Sequence, residues 1–191
     1  MERQALIDAS VQPGGRAPAP APLDLVQAFV NTVDREHGPD LLDDRAGWAA
    51  WCAARDLPSD RDRDDARAVR EALRALLWAN AHAAGEEAHD AALADAVAVL
   101  DGAADRAGLR PRFLPARLEP ERAPGTALGA VLAAAFGAMA DGSWSRLKAC
   151  PGADCGWAFF DRSVNGSSGW CSMRVCGQRA KARAYYARRR T

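Results

Sequence analysis

Cys150-Pro-Gly-Ala-Asp-Cys155 and, after fifteen intervening residues, Cys171-Ser-Met-Arg-Val-Cys176 carry four of the chain's five cysteines. Two pairs, each separated by four residues, read as one tetrahedral four-thiolate zinc site holding together a segment too short to bury a core of its own. The same spacing permits two disulfides. Against them, Met1 to Arg16 contains no apolar run of signal-peptide length, and Cys52 would be an odd thiol in a secreted chain. The expected compartment is the cytoplasm, where thiolates meet zinc before oxidant. One structural Zn2+ on Cys150, Cys155, Cys171 and Cys176 is the reading.

Between the pairs, Trp157-Ala-Phe-Phe160 leads into turn-forming residues from Asp161 to Gly169, and Trp170 precedes the next cysteine. This order predicts a β-hairpin between the two pairs, with Asp161 tying its turn. Trp157, Phe159 and Phe160 serve either as hairpin core or as a base-stacking platform, which solvent exposure separates. Past Cys176 no proline occurs, and Arg179 to Arg190 is rich in Ala, Arg and Lys, which predicts a helix. Knuckle, hairpin and helix together make a treble-clef-like module.

Charge sets this module apart. Formal net charge is zero over 191 residues, yet the chain from Trp144 onward holds ten Lys or Arg against Asp154 and Asp161, a balance of +8 offset by −8 before it. At helical spacing Arg174, Lys181 and Arg188 form one stripe and Arg179, Arg183 and Arg190 another, with Val175, Ala182 and Tyr186 between them to pack on the hairpin. Together with Arg189 these cations suit a phosphate backbone, so DNA is the expected partner. A protein-interaction module docking on an acidic partner or on a second copy is the alternative, and RNA binding a third reading.

These residues also carry a resemblance. Trp170-Cys-Ser-Met-Arg-Val-Cys-Gly-Gln-Arg-Ala-Lys181, with Cys150 and Cys155 upstream and Trp157-x-Phe-x-Asp161-x-Ser163 between, resembles the bacterial CGNR zinc finger. Val30-Asn-Thr-Val-Asp34, Asp40-Leu-Leu-Asp43 and Trp51 resemble the helical ABATE domain that precedes that finger. The resemblance implies a stress-associated transcriptional regulator with a C-terminal DNA-binding finger. Two departures stand out: Gln178 replaces the family Asn, and the tip Val164-Asn-Gly-Ser-Ser-Gly169 lacks the family's basic residues.

The rest of the chain reads as helical, giving a mainly α fold. Residues 1–22 are expected to be a flexible lead-in, because 11–22 is rich in Pro, Gly and Ala; 23–143 form the helical domain and 144–191 the finger. Leu25 to Val33, Asp44 to Arg55, a helix begun by a Ser59/Asp62 capping box, a segment through Leu93, Val97 and Leu100, and Thr126 to Ala140 show helical periodicity. A short extended piece falls at Phe113-Leu114. Ala127 to Ala140 is uncharged but too short to span a membrane. Asn31 and Thr32 interrupt an apolar face, either as the lining of an effector pocket or as a satisfied polar pair. His82 and His89 have no third ligand nearby, the aspartates at 60–65 interleave with arginines, and Cys52 reads as a small buried hydrophobe. No phosphate-binding loop, nucleophile elbow or His-Glu metal motif occurs, so no enzyme is expected. The helical domain is expected to sense a small-molecule effector or to dimerise.

Overall fold

The computed structural model describes every residue except 1, 10–11, 37, 60–62, 82–86, 115–116, 122–124 and 190–191, and the backbone alone at 87–90, 112–114 and 117–121. The Ser59/Asp62 capping box and the two histidines fall on or beside these stretches, outside the described side chains.

Helices follow the apolar periodicity. α1 (Arg3–Asp8) precedes α2 (Leu23–Val30), which buries Leu23, Val26, Phe29 and Val30. α3 (Arg45–Ala53) starts at Asp44, whose carboxylate accepts from the Gly47 amide at 2.7 Å, a cap worth about 1 kcal/mol. α4 (Arg63–Ala79) turns Ala66, Val69, Leu73 and Leu77 inward at i, i+3, i+7, i+11 spacing, and α5 (Glu87–Arg106) packs along it. α6 (Ala127–Asp141), capped by Thr126 and ended by Gly142, is buried along most of its length against α2 and α5. Its lack of charge therefore reflects a core position, and among the described residues no helix is long and apolar enough to cross a membrane.

The extended piece expected at Phe113-Leu114 is one arm of a hairpin, β1 (Arg110–Leu114) with β2 (Arg117–Glu121), paired antiparallel from Arg110 opposite Glu121 to Leu114 opposite Arg117. At the centre of the helical layer the Trp48 and Trp51 rings stack 5.5 Å apart, with Phe29 edge-on to both. Cys52 lies buried beside them.

The described residues of the segment expected as a flexible lead-in make contacts with the rest of the chain. Leu6 is buried, Gln12 is buried, and Arg16 donates to the carbonyls of Cys171 and Trp170 at 2.7 and 3.1 Å. Composition suggested mobility, but a Pro- and Gly-rich chain is easily pinned once a few of its side chains find distant partners. The finger, too short to bury a core of its own, shares that of the helical domain: Leu147, Ala149, Cys150, Trp157 and Phe159 join the cluster formed by Phe29, Val30, Leu73 and Val131.

Buried polar bonds sew the two together. Asn31 Nδ2 donates to the Ala158 carbonyl at 2.9 Å while Asn31 Oδ1 accepts from the Ala158 amide at 2.7 Å. Arg74 donates to the carbonyls of Val30, at 2.7 Å, and Gly156. Within the helical domain, next to this seam, Thr32 accepts from Arg70, whose guanidinium grips Asp40 through two bonds of 2.7 and 2.9 Å. Asn31 and Thr32 are thus a satisfied structural pair.

Asn31→Ala strips the Ala158 amide of its partner in a dry interior, so it should cost roughly 1–3 kcal/mol. In urea, tryptophan fluorescence and far-ultraviolet circular dichroism should shift together, because one core serves both regions. Two separated transitions would contradict the shared core.

Candidate metal centre

β3 (Leu147–Ala149) pairs antiparallel with β4 (Ala158–Phe160), Leu147 opposite Phe160, and the ladder continues through the Cys150 amide to the Trp157 carbonyl at 2.9 Å. The hairpin therefore encloses the first cysteine pair, whereas the sequence pattern placed it between the pairs. Residues 161–170 form a loop because Asp161 gathers them. Its Oδ1 accepts from the Ser163 amide and hydroxyl at 2.9 and 2.7 Å, and its Oδ2 from the Ser168 amide at 2.9 Å and Lys148 Nζ at 2.8 Å. Asp161 thus ties its turn, as its position suggested. Burial pushes this carboxyl upward, but Lys148 and the serine donors outweigh it and hold the group well below the usual carboxylate range.

The four sulfurs all lie within 4.8 Å of one another, and the Cys155–Cys171 and Cys171–Cys176 separations are each 3.6 Å. Tetrahedral ligation at a Zn–S distance of about 2.3 Å places sulfurs about 3.8 Å apart, whereas a disulfide requires about 2.05 Å. None of the cysteines is bonded to another. Such crowding forbids four thiolates without a cation. Hydrogen bonds from Cys155 and Cys171 hold Cys150 at about 2, and the bond to Cys150 pushes Cys155 up to about 12. Cys171 is driven up by its bond to Cys150 and Cys176 by burial. A divalent ion supplies the missing compensation.

Local backbone builds the cage. A Cβ on Gly152 would stand 3.0 Å from Cys155 Cβ, so any larger residue would press on the side chain of that ligand, while the sulfur of Cys176 lies at ordinary contact distance, 3.5 Å. Gly156 turns the chain out of the knuckle at φ 58°, a left-handed conformation that glycine accepts freely. Cys176 sits in a π-helical turn, Met173–Gly177, that runs straight into α7 (Gln178–Arg188).

The expected nucleic-acid residues are all exposed where described: Arg174 in the π turn, Arg179, Lys181, Arg183 and Arg188 on α7, and Arg189 just beyond; Arg190 lies outside the described residues. Arg179 and Arg183 line the same hollow as Cys155, and Arg179 donates to Glu36 of the helical domain at 2.6 Å. A helical wheel sets Lys181 and Arg188 on the opposite side. Arg189 leans over Tyr185 and donates to its hydroxyl at 2.8 Å. The Val175, Ala182 and Tyr186 strip does not pack on the hairpin as expected: all three are exposed, and α7 buries no residue. The metal-held turn, rather than an apolar seam, fixes where the helix begins. Gln178, at the first position of α7, is exposed and makes no side-chain hydrogen bond to the described residues.

The aromatics of β4 resolve as core. Trp157 is buried with Nε1 donating to Gln12 at 3.0 Å, and Phe159 is buried beneath Arg16, 5.0 Å from its ring centre. Phe160, half-buried, lies under Arg162. Lys148, Arg16, Gln12, Arg74 and Glu36 were invisible to sequence reading, because each acts on a residue far along the chain.

A closed four-cysteine centre feeding a basic helix, built into the flank of a helical domain, defines a zinc-finger protein. Residues 146–189 match the CGNR zinc finger, and 23–142 match the ABATE family, described as "Putative stress-induced transcription regulator". The chain belongs to the ABATE family and carries a CGNR zinc finger with one structural zinc ion held by Cys150, Cys155, Cys171 and Cys176. No curated protein matches the chain.

Elemental analysis of reduced protein should find about one zinc per chain, and chelation should lower the stability of the whole molecule because Cys150, Cys171 and Cys176 belong to its core. Stoichiometric disulfides without metal would contradict this site.

Asp161→Ala leaves the Lys148 ammonium buried without its carboxylate and should cost about 3–5 kcal/mol at neutral pH. The wild-type contribution is complete above the unfolded carboxyl value of about 3.9 and is lost as pH falls toward the lower folded value, so acid titration should narrow the gap between variant and wild type below about pH 4. A gap unchanged down to pH 2 would refute the linkage.

Proposed function

We propose that the chain is a DNA-binding transcriptional regulator of the bacterial cytoplasm, in which α7 meets the phosphate backbone and the helical domain supplies the input. One observation carries the reading: α7 bears Arg179, Lys181, Arg183 and Arg188, has no acidic residue, has no fully buried residue and grows directly from a metal-held turn. A rigidly rooted, exposed cationic helix is suited to a groove lined by phosphates. The family description supports the regulatory role. Catalysis is not part of the proposal, because four thiolates fill a zinc shell and leave no open position for substrate.

The two faces of α7 have different duties. Arg179 is engaged by Glu36, so the helical domain holds the near face, while Lys181 and Arg188 face away from that contact and lead the approach to DNA.

Duplex affinity of the full chain should fall steeply with salt, and replacing Lys181 and Arg188 by alanine should flatten the log–log slope by about two contacts. Glu36→Gln, by releasing Arg179, should strengthen binding and steepen the slope by up to about one contact. Fluorescence anisotropy at several salt concentrations measures all three. Absence of binding at low salt would refute the proposal and favour an acidic protein partner.

A further inference from the structure

We propose that a cavity of about 510 Å3 between the N-terminal strap, α2 and the end of α3 binds a small zwitterion with an aliphatic body, an effector of the amino-acid class. This site gives the helical domain's input a location and rests on that part of the functional reading. It does not depend on DNA binding.

The walls dictate the chemistry. Ile7, Leu25 and Ala28 supply an apolar surface, Asp8 and Asp24 stand exposed at the rim, and Arg55 reaches in from the end of α3. Arg55 is held in place rather than neutralised: it donates to the Trp51 carbonyl at 2.9 Å and stacks over the Trp51 ring at 4.5 Å. Among the described residues no carboxylate reaches ion-pair distance of it, and Asp24 and Asp8 act on it only through space. The cavity thus keeps one guanidinium and two carboxylates apart.

An ammonium at the rim and a carboxylate at Arg55 would satisfy both signs, with a branched aliphatic chain against Ile7 and Leu25. A purely apolar occupant would leave Arg55 half-desolvated and unpaired. An anion without an amine would face the two aspartates, and an amine without an anion would face Arg55.

The finger senses the site through shared walls. Gln12 lines the cavity and accepts from Trp157 Nε1 at 3.0 Å, two residues from Cys155. Gln27, also in the lining, donates to the Ala158 carbonyl at 3.1 Å. Farther along the strap, Arg16 holds the carbonyl of Cys171, itself a zinc ligand, and the Pro18 carbonyl accepts from Arg162 at 2.6 Å. An occupant bridging Asp8 of the strap to Arg55 of the helical layer therefore stiffens the segment that buttresses the metal centre. Residues 7–18 lie outside both matched family regions, so the strap's share of this coupling comes from outside them, while Gln27 and Arg55 lie within the ABATE region.

Calorimetry on the full-length, zinc-loaded protein tests the site, using L-leucine for a free amino acid, leucyl-leucine for a peptide source, and isopentylamine and 4-methylpentanoate as single-charge controls. At least one zwitterion should saturate one site per chain, with both controls weaker by about tenfold or more. Arg55→Gln should weaken binding by a similar factor, and the rim variant Asp24→Asn, remote from the core, should weaken it with circular dichroism and zinc content unchanged. Saturation should also slow zinc transfer to a chelator by about threefold, and Arg16→Ala should abolish that slowing. No heat from either zwitterion up to about 10 mM, equal binding of the controls, or indifference to both variants would overturn the site. Binding with no change in zinc transfer would overturn the coupling. None of these readouts involves DNA, so their failure is distinct from a failure to bind duplex.

Discussion

The amide of Asn31 closes on both backbone groups of Ala158, and much of the molecule depends on that junction. Ala158 lies in β4, the strand that brings Trp157 and the knuckle into place; Asn31 ends α2, the helix at the centre of the helical layer. One side chain thus substitutes for a neighbouring strand along the finger's small sheet, satisfying groups that would otherwise be orphaned in a dry interior. Gln27 and Arg74 reinforce it from either side by binding Ala158 and Gly156. A finger of this size, ordinarily dependent on its metal alone, gains a second anchor in the helices.

That junction changes what the metal does. In an isolated finger, zinc supplies the folding energy outright. Here Cys150, Cys171 and Cys176 are also members of a continuous apolar core, so ligation and packing reinforce each other. Arg70 with Asp40 and Lys148 with Asp161 are buried, hydrogen-bonded pairs close to this seam, and the buried Arg74 pairs with the exposed Glu71. Buried pairs of this kind contribute less to net stability than to geometry, since desolvation offsets much of their attraction. Of these groups Arg74 also crosses the seam, donating to the Gly156 carbonyl of the finger.

What could be read from the chain alone follows from the range of each signal. The thiolates declared themselves, because metal chemistry imposes spacing on its ligands. Helices declared themselves through the repeat of Val69, Leu73 and Leu77 or of Leu128, Val131 and Ala135. The hairpin was misplaced, because Trp170 has the composition of a strand residue but Asp161 diverts the intervening chain into a loop through three local hydrogen bonds, from Ser163 and Ser168, and a fourth from Lys148. The strap's contacts were hidden for a different reason: Gln12 and Arg16 act on residues some 150 positions away, and no local pattern distinguishes them from solvated side chains. Arg74 and Asn31 were legible as members of helices but not as the bonds that join two regions. Polar residues acting across a fold leave no periodic trace.

α7 has eleven residues and none of them is buried, and a helix that short is marginal in water on its own. Arg179 and Arg183, one turn apart, add like-charge repulsion. What lowers the cost of starting it is the turn through Cys176, where ligation fixes the dihedral angles that would otherwise have to be ordered before the first helical bond forms. The far end has no such aid. α7 is therefore an unevenly nucleated element, firm at the metal and prone to fray toward Arg188. Any polyanion that engages its outer turns must order them as it binds, exchanging part of its electrostatic gain for the entropy of completing the helix.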